Sequence, residues 1–297
     1  MRASLRTAVL SLITAITATA VGLTPVAVAE PVDPAFCGTP LSAAELDTIA
    51  HLSDTSTLTG DALQRLTTAV ARHHEITEIL VAHRDRRGLF PLGLDGVEQS
   101  AVLPLQRDPG AFQDREYAHA ISLELLRRFL ANVHAAFTGG SVEPHWARYF
   151  ELARRCDVSP ARVAMAGYDA HLTVDLAYSV ATVASKPDNA PDYFKIVDAI
   201  AASGQVIVDR TKEIYHGDLG PLWRFYFAGE GLDLLLGAGV ATGPLLRAAD
   251  LGYNVVIYGN GLALEDSALH DPTAAEIRLL SDSVEAALDV LTLLRGL

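Results

Sequence analysis

One segment limits the architecture more than any other: SPARVAMAGYDAHLTVDLAYSVATVASKP. From Ala161 to Ala184 it is apolar on almost every side at helical spacing. A helix that is apolar all round belongs in the middle of a fold. The span Pro160–Lys186 is therefore expected to be a buried central helix. Yet it carries His171 and Asp175, and with them Asp169. Ionisable groups in such a place are costly unless they are paired or bind a ligand. His171 and Asp175 are four residues apart, which puts them on one face of an α-helix.

Other helices are marked by their ends. Ser42 with Glu45 forms a capping-box pattern, and Thr59 or Asp61 opens a long helix ending at the charged turn Arg84–Gly88. Asp114, Pro144, Ser159-Pro160, Pro191, Pro221 and Asp271-Pro272 open further helices. Residues 89–112 hold Pro91, Pro104, Pro109 and several glycines, and read as a loop with one short helix near Gly96–Leu103. Period-2 alternation is nearly absent. The expected class is all-α: one bundle of seven or eight helices spanning residues 42–297, preceded by an extended arm over residues 30–41.

Residues 1–29 read as a cleavable export signal. Arg2 and Arg6 are followed by an apolar run from Ala8 to Leu23, Pro25, and Ala27-Val28-Ala29 before Glu30. Thr14, Thr17 and Thr19 dilute that run, which argues against a retained anchor, and nothing after it reads as a membrane span. The expected location is outside the cell. Arginine far exceeds lysine, which suggests a GC-rich bacterial genome. The net charge of −13 becomes about −15 once the two leader arginines are gone. So acidic a chain is a poor partner for nucleic acid, which is bound by neutralising phosphates. Cys37 and Cys156 form an even pair, for which a disulfide is the default in an oxidising compartment; two buried thiols are the alternative.

A helical His-x-x-x-Asp offers a metal one nitrogen and one oxygen ligand, or a carboxylate-oriented base. Its plainest alternative is a buried pair that only specifies packing. His74 and Glu78 repeat the spacing in His73-His74-Glu75-Ile76-Thr77-Glu78, which misses the H-E-x-x-H zinc pattern at its last position. A solvent-facing charged stripe with a favourable i,i+4 pair is the better account of them. His119 sits among apolar neighbours on a third helix. His134 and His145 lie near helix ends and read as surface residues; His51, His83, His216 and His270 are given no role. The candidate ligands for one divalent ion, zinc by type, are His171, Asp175, His119, His74 and Glu78, with Asp169 a further acid. Gly237-x-Gly239-x-x-x-Gly243 followed by Asn254–Tyr258 imitates a dinucleotide-binding turn, but the spacing is too long by one residue. There is no nucleophile elbow or phosphate-binding loop.

The runs YAHAISLELLRRFLANVHAAF, PHWARYFELAR, AMAGYDAHLTVDLAYSVA and PDYFKIVDAIA resemble the exported bacterial proteins of domain-of-unknown-function family 5995. The hallmark Asn-Ala-His continuing to Asp-Leu falls on Asp169-Ala170-His171 and Asp175-Leu176, with aspartate in place of asparagine. The resemblance implies an exported helical protein centred on His171 and Asp175, and carries no activity. A looser analogy runs to helical zinc phospholipases C and P1-type nucleases, whose bundled helices hold metal through histidine–acid pairs. The expected function is a metal-dependent hydrolase acting on a phosphoester or lipid. The alternatives are a binding module for a small apolar ligand, with Trp146, Tyr149, Phe150, Trp223, Phe225 and Tyr226 lining a cleft, and a structural protein.

Overall fold

Ser42 and Asp61 begin the fold with the same device. Each side chain accepts a hydrogen bond from the backbone three residues on, and Glu45 or Gln64 reaches back to the cap. Helices α1 (Ala43–Ser53) and α2 (Ala62–Ala82) follow. The computed structural model describes residues 32–219 and 242–293, and all regular structure among them is helical. The leader, the aromatic residues Trp223, Phe225 and Tyr226, and the glycine pattern Gly237–Gly239 lie outside the described residues.

Only residues 108–112 form a loop; residues 89–107 do not. They form α3 (Leu89–Val97), a π turn (Glu98–Val102) and α4 (Leu103–Arg107), with α3 almost wholly buried. The glycines that suggested breaks are contact points instead. A Cβ on Gly93 would collide with the Tyr168 hydroxyl, and one on Gly96 with Val206. Pro91 falls in the first turn, where its missing N–H costs nothing.

Asp114 caps α5 (Arg115–Thr138), which Gly139 ends in the left-handed conformation at φ 71°. Pro144 occupies the first position of α6 (Pro144–Arg154). Ser159 caps α7 (Pro160–Asp169), which passes through a π turn (Ala170–Asp175) into α8 (Leu176–Thr182). The segment from Pro191 to Tyr215 forms two helices, α9 (Ala190–Ser203) and α10 (Gln205–Tyr215), divided at Gly204. Helices α11 (Thr242–Leu264) and α12 (His270–Leu293) complete the described chain. Asn254–Tyr258 lies within α11 and is not a strand. The described residues thus hold more helical runs than the expected seven or eight, because π turns and Gly204 interrupt longer rods.

The α7–α8 rod is the centre of the bundle. Helices α3, α6 and α12 pack on α7, and α5 and α11 pack on α8. Two apolar clusters meet along it. One includes Leu66, Ile76, Phe90, Phe129 and Trp146; the other includes Ile121, Val174, Leu176, Tyr193, Ile257 and Ile277. Arg162 is 1 % exposed and anchors α12 to α7 by ion pairs to Glu285 (2.5 Å) and Asp289 (2.8 Å). The arm is tied down by the Cys37–Cys156 disulfide and by backbone pairing of Thr39 with His83. Among the described residues, no helix is long and apolar enough to cross a membrane.

Candidate functional site

A π turn carries two of the central polar residues. π turns add one residue to a helical turn and recur at functional sites. Here the turn covers both His171 and Asp175, and the two side chains meet different partners. His171 packs into hydrocarbon, its ring 5.0 Å from Phe90 and 6.5 Å from Trp146 by centroid. Its Nδ1 has no hydrogen-bond partner. Burial pushes its pKa down to about 3, so the ring is neutral.

Asp175 turns instead to the start of α6. Its Oδ1 lies 3.0 Å from His145 Nε2, and its Oδ2 accepts a hydrogen bond from Trp146 Nε1 at 2.8 Å. Burial raises the Asp175 pKa, while the bonds from His145 and Trp146 oppose that rise. Glu143, immediately before α6, brings Oε2 to 3.5 Å from the same His145 nitrogen. Asn132 on α5 holds this carboxylate, donating from Nδ2 to Oε2 at 3.2 Å and accepting the Glu143 backbone N–H at 2.8 Å. Pro144 fixes the helix start, so Glu143, His145 and Trp146 emerge together around its first turn.

Glu143, His145 and Asp175 each offer one ligand atom, all within 4.8 Å of one another. A zinc ion with bonds of ~2.0–2.1 Å has tetrahedral edges of ~3.3 Å. The separations of 3.0 and 3.5 Å bracket that edge. The donor set, one imidazole and two carboxylates, also suits zinc. Each carboxylate is oriented by a neutral donor, as metal-binding carboxylates usually are. The residues present therefore fit a divalent cation.

Glu143 and His145 border a cleft of about 410 Å³ lined also by Arg128, Arg148, Asp169, Arg278, Ser281 and Glu285, while Asp175 is buried behind them. Asp169 is the chemically distinctive group there. Burial pushes its pKa up to about 6, against the bonds it accepts from Ser281 Oγ (2.6 Å) and Thr173 Oγ1 (2.5 Å). Thr173 in turn shares a hydrogen bond with the Tyr253 hydroxyl. A carboxyl poised near neutrality can both take and return a proton.

The structure scatters the other expected ligands. His119 is buried, with Nε2 3.0 Å from the carbonyl oxygen of Gln106. His74 and Glu78, both exposed, do meet an acid, the buried Asp95. There Arg210 already supplies the cation, 2.9 Å from Asp95 Oδ2 and 3.8 Å from Glu78 Oε1. His73 makes a buried pair with Glu98 at 2.6 Å. His171, Asp175, His119 and the His74–Glu78 pair thus have separate surroundings, and the single shared site expected from them does not form. Trp146, Tyr149 and Phe150 are core residues, not a cleft lining.

His145, read as a surface residue, is the ring that Asp175 holds. The sequence does carry a signal for it. Glu-Pro-His-Trp packs a carboxylate, an imidazole and an indole donor into the first turn of a helix, and a buried Asp175 needs partners of those kinds.

Fold and site together define a class: an all-helical protein built on a central helix that a π turn interrupts beside a Glu–His–Asp cleft. The model of the family of unknown function DUF5995 matches residues 66–233, more than half of the chain, and the chain belongs to that family. The match spans Glu143, His145, Asp169, His171 and Asp175. No curated protein and no solved structure matches the chain. The analogy to helical zinc phospholipases finds no support, since its histidines do not converge.

Proposed function

We propose that this is an exported metal-dependent hydrolase whose centre is Glu143, His145 and Asp175, acting on a phosphoester. The observation that carries the reading is the convergence of three oriented donors within 4.8 Å of one another, with His145 Nε2 3.5 Å from Glu143 and 3.0 Å from Asp175, at the wall of a cleft that Glu143 and His145 line. Bound there, a divalent cation supplies Lewis-acid chemistry: it polarises a phosphoryl oxygen and makes water a better nucleophile near neutral pH. The protein's own groups do the rest. Trp146 and Asn132 hold the two carboxylates in place. Asp169, with a pKa of about 6, takes a proton from the attacking water and returns one to the leaving oxygen. Arg128 and Arg278 on the cleft wall offset the negative charge of a phosphoester.

Export is supported by the leader pattern of residues 1–29 and by the Cys37–Cys156 bond, a type that persists in oxidising compartments. We take residues 42–297 as one domain. A second reading rests on the same 3.0 Å contact. With Asp175 holding Nε2, Nδ1 of His145 is the ring's remaining acceptor, and the pair acts as a general base without metal.

The test is turnover of bis(p-nitrophenyl) phosphate in zinc, with and without EDTA. Turnover that EDTA abolishes and that His145→Ala lowers by about 10²-fold or more supports the metal reading. Turnover that survives EDTA but not His145→Ala favours the dyad. Turnover unchanged in a folded His145→Ala protein, or no turnover above buffer, overturns both.

A further inference from the structure

A second cavity, sharing no lining residue with the cleft, lies beside the disulfide. It holds about 260 Å³, room for about eight or nine waters at ~30 Å³ each. Its wall is basic. Arg84, Arg86 and His216 line it together with Cys37, Cys156 and Tyr215, and among the described residues no carboxylate does. That is unexpected in a chain of net charge −13.

Among the described residues, none of these three basic groups forms an ion pair. The acids nearest in sequence are taken: Asp85 by Arg87 at 2.6 Å, Asp157 by Arg155 at 2.9 Å and Asp218 by Lys212 at 3.0 Å. Arg86 is 6 % exposed, and its guanidinium donates to carbonyl oxygens, Nη1 to Arg155 and Nη2 to Val158, both at 2.6 Å. A buried charge without a counter-ion is costly. Arg84 and His216 are exposed, yet they stand together, Nη1 3.4 Å from Nε2. A guanidinium only donates, so Nε2 accepts and the ring keeps a proton on Nδ1 for another acceptor. The backbone singles out the same place. Among the described residues, four that are not glycine have positive φ, and Cys37 (64°), Arg84 (49°) and His216 (57°) of them line this cavity. Such conformations are uncommon and gather at binding sites.

We propose that this cavity binds a small dianion of the phosphate class, free or esterified to a small group. Arg84 and His216 hold it by hydrogen bonds, and the charge of Arg86 attracts it from the buried side of the wall. Two guanidiniums without acids call for two negative charges, and the several donors of the arginine fork suit phosphate oxygens. The site does not depend on the metal reading, because it shares no side chain with the cleft.

Titration calorimetry of the full chain in EDTA at pH 8, with inorganic phosphate, glycerol 3-phosphate and acetate, tests this. One site per chain is expected for a phosphate compound, with a Kd below ~1 mM and at least about tenfold tighter than acetate. Whichever phosphate compound binds tighter identifies the form of the anion, and either supports the site. Arg84→Asn and His216→Asn are each expected to weaken binding about tenfold, by loss of a charge-assisted hydrogen bond. Asparagine accepts the left-handed backbone at both exposed positions, and should one variant not fold, the other decides. Arg278→Gln, in the cleft, is expected to leave the affinity unchanged. No saturable binding by either phosphate compound, acetate binding as tightly, unchanged affinity in a folded Arg84→Asn or His216→Asn, or loss of binding in folded Arg278→Gln would each overturn the assignment.

Discussion

Asp169→Asn is expected to stabilise the protein increasingly as pH rises. Burial lifts the Asp169 carboxyl from the ordinary 3.8 to about 6 in the folded chain. Below the unfolded value both states hold the proton, and the buried acid is tolerated. As pH rises, the unfolded chain releases its proton first. Stability is then lost until the pH passes about 6, where the folded chain also ionises. The gap is worth ~3 kcal/mol in full at 1.36 kcal/mol per pH unit, and ~2 kcal/mol of it falls between pH 4.5 and 8. Asparagine cannot ionise. It keeps an acceptor for one hydroxyl, and its amide can donate to the other, since Ser281 and Thr173 are free to rotate their protons. Any change in those bonds is independent of pH and cancels on comparing two pH values. Urea denaturation of both proteins in EDTA, at pH 4.5, 6 and 8, measures this directly. The advantage of Asn should grow by ~2 kcal/mol across the range. A flat difference, or one that shrinks with pH, would refute the burial argument.

Trp146→Phe removes the donor to Asp175 Oδ2 and should cost about 1–3 kcal/mol by denaturation, with metal affinity falling about 10–100-fold. His171→Ala should cost about 2–4 kcal/mol through lost packing against Phe90 and Trp146, yet leave bound metal unchanged on elemental analysis. Replacing both cysteines by serine opens a bridge spanning 119 residues and should lower stability by about 2–5 kcal/mol in urea. Gly93→Ala drives a methyl into the Tyr168 hydroxyl and should cost about 1–3 kcal/mol, read as a lower melting temperature.

Helix starts were plain from sequence because capping is local chemistry: Ser42–Glu45, Asp61, Asp114 and Ser159 cap as their residue types require. The buried helix α3 was hidden. Gly93 and Gly96 look like breakers along the chain, and only the approach of Tyr168 and Val206 explains them. The central position of the segment from Pro160 was legible from its apolarity, but its π turn was not. Nothing in Ala170–Asp175 announces an extra residue per turn, nor that His171 and Asp175 meet different partners. His145 was missed for a related reason. Its partner lies 30 residues away on another helix, and spacing rules see only pairs within one helix.

The most direct test of the metal centre is elemental analysis of untagged protein after saturation with zinc and desalting. One ion per chain is predicted, lost in folded His145→Ala and Glu143→Gln and retained in His171→Ala. Less than about a tenth of an ion per chain, or equal content in His145→Ala, would contradict the assignment of Glu143, His145 and Asp175 as its ligands.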